Sequence, residues 1–182
     1  MKKTVWTFGL ISGGILSAMM LLTIPFVDSI GFDRGEVIGY TTMVLAFLLT
    51  FFGVRSYRDN VAGGTIGFGR ALAVGSLITL ISCVCYVATW ELIYFKLAPD
   101  FITKFQAHAV ERAKSGGGSP EAIQKKVDDA QKFAQLYQNP AINVAITFIE
   151  PLPVGLVFAF ASAGILSRKR RTAPAGLAAS IG

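Results

Sequence analysis

The sequence predicts an all-α fold: a four-helix polytopic transmembrane bundle with an extracytoplasmic amphipathic helical hairpin between the third and fourth helices. Three observations predict it. The chain is 53% hydrophobic and only 15% charged, whereas soluble domains are about a quarter charged. Its apolar residues gather in four runs of roughly 20, the length at which a helix crosses a hydrocarbon core of about 30 Å. Its basic residues collect at alternate junctions of those runs, which is the pattern that orients helices in a membrane.

The first run, Val5–Phe26, follows Lys2 and Lys3. Its apolar stretch is longer than the core of a cleaved leader and no small-x-small site follows, so it reads as a signal anchor. The second run is Val37–Val54. Between these two runs Asp28, Asp33 and Glu36 face one Arg34. The third run, Ala71–Tyr94, is entered through Arg55, Arg58 and Arg70. The fourth, Ile142–Leu166, is followed by Arg168, Lys169, Arg170 and Arg171. Both termini and the second junction are therefore expected in the cytoplasm. The net charge of +6 is mostly this topology signal, and it does not point to nucleic acid. The basic cluster after the fourth run is expected to meet anionic lipid. Residues 1–171 are read as one transmembrane domain and 172–182 as a flexible cytoplasmic tail.

The long polar segment, about 99–139, lies on the other side. Pro99 opens it, and Phe101, Phe105 and Ala109 recur every four residues. The glycines of "SGGGS", Ser115–Ser119, break that helix. Ser119 as cap, Pro120 at the first position and Glu121 in the first turn start a second one. Ile123, Val127, Ala130, Ala134 and Tyr137 form its single apolar stripe. The two helices can fold on each other, lie on the outer leaflet or roof the bundle. Asn139-Pro140 ends the segment and can cap the last span.

Small residues recur at spacings of four: Gly9, Gly13 and Ser17; Gly35 and Gly39; Gly67, Ala71, Gly75, Thr79 and Cys83; Gly155, Ala159, Ala163 and Ser167. In lipid such faces bring helices close, whether within one chain or in a homodimer. Cys83 and Cys85 point to nearly opposite sides of a helix and read as core thiols.

Two places carry candidate chemistry. The first is "TFIEPLPVG", Thr147–Gly155. Glu150 lies about eight residues into the last run, roughly 12 Å deep at 1.5 Å per residue. An ionised group there costs about 2.5–3.5 kcal/mol on insertion scales. Protonation would remove the charge, and Pro151 and Pro153 leave the carbonyls of Thr147 and Ile149 without helical donors. Such backbone groups persist only inside protein or beside a wet cavity. At matching depth stand Tyr86, with Ser82 and Thr89 a turn away, Thr41 and Thr42, and Ser17. Glu91, beside Trp90 and Tyr94, belongs to an interfacial belt. Glu150, Glu91, Tyr86 and Thr89 are expected to line a polar pocket, marked by Pro151 and Pro153 and roofed by the hairpin. The alternative is a buried hydrogen bond that only fixes packing.

The second place is the junction "RSYRDNVAGGTIGFGRAL". It lacks the G-x-x-x-x-G-K-[ST] phosphate loop. Arg55, Tyr57, Arg58, Asp59, Asn60 and Arg70, with the glycines between, are expected to meet lipid headgroups through arginines and backbone N–H groups. A plain topogenic loop is the alternative. No metal-ligand or catalytic motif occurs, and His108, the single histidine, reads as a surface residue. No cofactor is expected.

Several blocks occur together in order: "GEVIGYTTMVLAF", "FFGVRSYRDN", "GGTIGFGRAL", "PDF", "NP" and "EPLPVGL". From Lys2 to about Lys169 the chain resembles the bacterial domain of unknown function 4199 family of small integral membrane proteins. The resemblance implies the same architecture and a bacterial inner-membrane location, and it carries no activity. It marks Glu36, Tyr57, Arg58, Asp59, Asn60, Asp100 and Glu150 as positions to test. The expected function is non-catalytic, through contacts with membrane lipids or protein in the bilayer, as a homodimer or as an accessory subunit of a membrane complex. A proton- or ion-linked transporter using Glu150 is the alternative, and a lipid-modifying enzyme the third reading.

Overall fold

The computed structural model describes residues 1–167, and those residues are helical with no strands among them. Four helical stretches are long and apolar enough to cross a membrane: Lys2–Ile30, Phe32–Asn60, Phe68–Leu97 and Pro140–Leu166. Each is longer than its hydropathic run. A helix that leaves the hydrocarbon keeps its backbone hydrogen bonds, so polar residues extend it rather than end it.

Helix α1 (Lys2–Thr23) passes through a 3-10 turn at Ile24–Phe26 into the short α2 (Val27–Ile30). Pro25 stands in that turn, where its missing N–H interrupts the α-helical ladder. Gly31, at φ 83°, makes the sharp junction to α3 (Phe32–Asn60), a conformation open to glycine. After a short connection, α4 runs from Phe68 to Leu92 and widens into a π turn at Ile93–Leu97. Helix α5 (Phe101–Ser115) and α6 (Pro120–Tyr137) form the hairpin. The Ser119 side chain accepts from Ala122 N at 3.3 Å, as its capping position predicts. Asn139 in turn caps α7 (Pro140–Ile149), accepting from Ala141 N at 3.0 Å. Helix α8 (Leu152–Leu166) completes the last span.

Helix α4 is the centre of the bundle, packed on α1, α3 and α8. Close approach is achieved through glycines. A Cβ on Gly13 would stand 2.7 Å from that of Cys85, and one on Gly75 would stand 2.9 Å from that of Ala159. At Gly155 the neighbours are Thr79 and Phe47. Most of the small-residue faces are thus spent inside the chain. Gly35, Gly39 and Gly67 are the exceptions: a Cβ on any of them meets nothing within 4 Å, so these three do not serve helix packing.

Buried hydroxyls cross between helices. Ser12 Oγ donates to the Ala46 carbonyl at 3.0 Å, and Ser82 Oγ to that of Gly9 at 3.2 Å. Each such bond contributes on average about 0.6 kcal/mol in a membrane protein. Leu10, Leu45, Val84, Val157 and Ile165 point outward, half or more exposed, as lipid-facing residues must.

The core has two ends. Val5, Tyr57, Ile66 and Leu166 pack together at one. Met20, Trp90, Ile102, Ala134 and Tyr137 pack at the other, beneath the hairpin. The chain start, the α3–α4 connection and the end of α8 therefore share one face. The basic cluster at 168–171 and the tail at 172–182 lie outside the described residues.

Candidate functional site

Helix α3 packs on α1, α4 and α8 but scarcely on α7. The space this leaves, at the hairpin end of the bundle, is a cavity of about 550 Å³. That is within the range of small-molecule sites. Its floor and walls come from α1, α3, α4 and α7, and its roof from Phe101, Phe105 and Phe133 of the hairpin. Met19, Met20 and Met43 line it, three of the four methionines in the chain. Thioether side chains are adaptable and can follow ligands of varied shape. Gly35 and Gly39 also border it, which explains why they are free of packing contacts.

Glu150 lies on the cavity wall, and Tyr86 Oη donates to its Oε2 at 3.0 Å. Tyr86 is one of the residues that stand at matching depth. It is Tyr86, however, rather than an open helix carbonyl, that meets the carboxyl. The break beside it is mild. Glu150 (φ −59°, ψ −57°) and Pro151 (φ −78°, ψ −19°) keep right-handed helical geometry, so the span loses hydrogen bonds there without becoming a loop. Pro151 is buried and Pro153 is exposed.

The structure does not bring Glu91 and Thr89 to the cavity. Thr89 Oγ1 donates to Ser17 Oγ at 2.8 Å, tying α4 to α1. Glu91 Oε1 is buried without a hydrogen-bond partner among the described residues. One helical position from Trp90 is a rotation of about 100°, so the two residues cannot share a face. Trp90 is not in an interfacial belt either. It is buried under the hairpin, and its Nε1 donates to Asn143 Oδ1 at 3.0 Å.

That bond belongs to a network the sequence reading missed. Thr147 Oγ1 donates to Asn143 Oδ1 at 3.2 Å, and Tyr137 Oη pairs with Thr147 Oγ1 at 3.0 Å. It fastens α4, α6 and α7 beneath the roof. Burial pushes the Tyr137 hydroxyl up to about 12, so it remains a neutral partner. The signal was available: Asn143, Thr147 and Glu150 stand at i, i+4 and i+7, one polar stripe in an apolar run.

At the rim, α5 presents Lys104, His108 and Arg112 at spacings of four. Lys104 Nζ lies 2.6 Å from Asp28 Oδ2 and 2.9 Å from Asp100 Oδ2. His108 Nε2 and Arg112 each lie 3.3 Å from Asp33 Oδ1. Arg112 lies 3.9 Å from Glu36. The Lys104 hydrogen bond holds the Asp100 carboxyl below its ordinary range, and Asp28 and Asp100 raise the Lys104 ammonium. His108 is more than a surface residue: it stacks on Phe32 with ring centroids 5.1 Å apart and lines the cavity.

At the opposite end the basic junction is less of a loop than expected. Arg55, Tyr57, Arg58, Asp59 and Asn60 are the last turns of α3, and Arg70 is in the first turn of α4. Tyr57 is buried in the core rather than offered to headgroups. Asp59 takes Arg58 at 2.7 Å and Arg55 at 3.6 Å. Arg70 has no carboxylate within ion-pair distance among the described residues. No cluster of metal-ligating side chains occurs among those residues.

Residues 7–168 match the family described as "Protein of unknown function (DUF4199)". No curated protein and no solved structure matches the chain.

Proposed function

The chain belongs to the DUF4199 family of proteins of unknown function, and within that family we propose that it is a non-catalytic integral membrane protein that holds an amphipathic small molecule or lipid in the cavity beneath the hairpin. The observation that carries this reading is the cavity itself. About 550 Å³ of mostly apolar space, with Glu150 and Tyr86 as a polar point, lies partly open at the hairpin end of the bundle. The gap between α3 and α7 offers a route from the bilayer. In this reading Lys2, Lys3, Arg55, Arg58 and Arg70 face the cytoplasm of a bacterial inner membrane, residues 1–171 act as one unit, and the hairpin stands outside. Arg70, with the α3 arginines, meets lipid headgroups at the cytoplasmic face.

Gly39→Leu tests it. A Cβ there meets nothing within 4 Å and Gly39 borders the cavity, so the larger side chain is expected to take up cavity space and the fold to survive. Membrane lipid extract should raise the unfolding temperature of the delipidated wild type, since a ligand that binds only the folded state stabilises it. The variant should show at most a small part of that rise. Equal stabilisation of both proteins would contradict the cavity as the binding site.

A second reading, cation-linked transport, is favoured by one observation. Glu150 sits beside a proline-interrupted point in a membrane span, an arrangement used where helices line an ion path. Proteoliposomes of Glu150→Gln should then lose substrate-dependent proton or sodium flux. Undiminished flux would exclude Glu150 as the coupling group.

A further inference from the structure

We infer that the cavity selects a cationic amphiphile, a molecule with one amine-type head on an apolar body, the head seated at Glu150. This rests on the reading of the cavity as a binding site and goes further by naming the chemistry of its occupant.

Charge complementarity carries the inference. Two carboxylates, Glu150 and Glu36, line the cavity together with His108 and Arg112. Arg112 lies 3.9 Å from Glu36, so Glu150 is the carboxylate left without a cation. Among the described residues no Lys, Arg or His lies within ion-pair distance of Glu150, and Tyr86 is its one side-chain hydrogen-bond partner. A carboxylate with a single donor in an apolar wall has acceptor positions left over. When ionised, Glu150 lacks a countercharge among the described residues, and a cationic head would supply one. The cationic groups of the rim stand elsewhere, His108 and Arg112 beside Asp33 and Glu36. An anionic head would meet Glu150 as a like charge. A neutral head would leave the carboxylate uncompensated.

The walls suit the same ligand. Tyr86, Trp90, Phe101, Phe105, Phe133 and Tyr137 put aromatic rings around the cavity, and ring faces attract ammonium groups. The methionines accept the apolar body in more than one shape.

The test uses three probes with the same ten-carbon chain: a trimethylammonium, an alcohol and a carboxylate. The chain has two tryptophans. In a Trp6→Phe background the emission of Trp90, which lines the cavity, reports occupancy of full-length protein in nanodiscs. The ammonium probe should bind about 10-fold or more tighter than the alcohol, a difference of about 1.4 kcal/mol, and the carboxylate weakest. Glu150→Gln should abolish that preference, bringing the ammonium probe to the affinity of the alcohol or below. Equal affinity for all three probes, or a preference that survives in Glu150→Gln, would overturn the cation inference while leaving the cavity reading standing. No Trp90 response to any probe would overturn both. If Glu150→Gln does not fold, the ranking of the three probes on the Trp6→Phe protein decides by itself.

Discussion

Glu150 and Asn143 are two polar groups in one apolar span, seven residues apart, with different work. Glu150 faces a cavity and has one donor, Tyr86. Asn143 is fully buried and accepts from both Trp90 and Thr147. Removing Asn143 therefore strands a buried indole N–H. Asn143→Ala should destabilise the fold by about 1–3 kcal/mol, measured by reversible unfolding in mixed micelles, with Trp90 emission altered before the global transition. Tyr86→Phe removes a donor at a cavity wall that a ligand or water can reach. Its stability should stay within about 1 kcal/mol of wild type, while ligand affinity changes. If Tyr86→Phe proves the more damaging of the two, the Glu150 pair is a packing device rather than part of a site.

At the scale of elements, glycine has two opposite uses. Gly155 sits where α8 meets α4 and α3, with Thr79 and Phe47 against it. Gly155→Ala should cost about 1–3 kcal/mol by overpacking, whereas Gly39→Ala should be close to neutral in the same unfolding assay. Spacing alone could not separate them, because both recur at intervals of four. Only the partner helix decides which small residue is a contact and which borders a gap. The hairpin shows another limit. Its two helices, the Ser119 cap and the apolar stripe of α6 were legible from capping chemistry and period. The stripe of Lys104, His108 and Arg112 was not, because, Asp100 apart, its acidic partners Asp28, Asp33 and Glu36 lie more than 70 positions earlier in the chain.

These rim pairs are exposed, and such pairs contribute little to stability and are screened by salt. Lys104→Glu should raise hydrogen exchange in α5 without lowering the global unfolding temperature much. The pH sign follows from the shifts. The depressed Asp100 carboxyl contributes above its ordinary range, near pH 4, and its contribution is lost as pH falls through the folded value. The raised Lys104 ammonium contributes below about pH 10 and is lost as pH rises past it. Tyr137, at about 12 in the fold, likewise supports the hairpin until the unfolded phenol ionises near pH 10. The protection factors of hairpin amides, taken relative to the intrinsic exchange rate at each pH, should thus fall at both the acid and the alkaline extreme.

For the whole molecule, the four spans and their order could be read from hydropathy and charge placement, and depth put Tyr86 among several candidate neighbours of Glu150. Depth counting worked because antiparallel spans of similar length bring equal depths together. It misled for Glu91 and Thr89, since depth fixes height and not the direction in which a side chain points. The helical reach of Arg55–Asn60 was lost for a different reason. Hydropathy marks where lipid ends, and hydrogen bonding sets where a helix ends. What no single run discloses is the cavity, which exists because α3 leans on α8 and away from α7. The central claim is that this cavity holds a molecule, and native mass spectrometry of protein released from mild detergent tests it most directly. Wild type should carry one amphiphilic molecule per chain and Gly39→Leu should emerge bare. The same bound mass on both, or none on either under conditions that keep the fold, would contradict it.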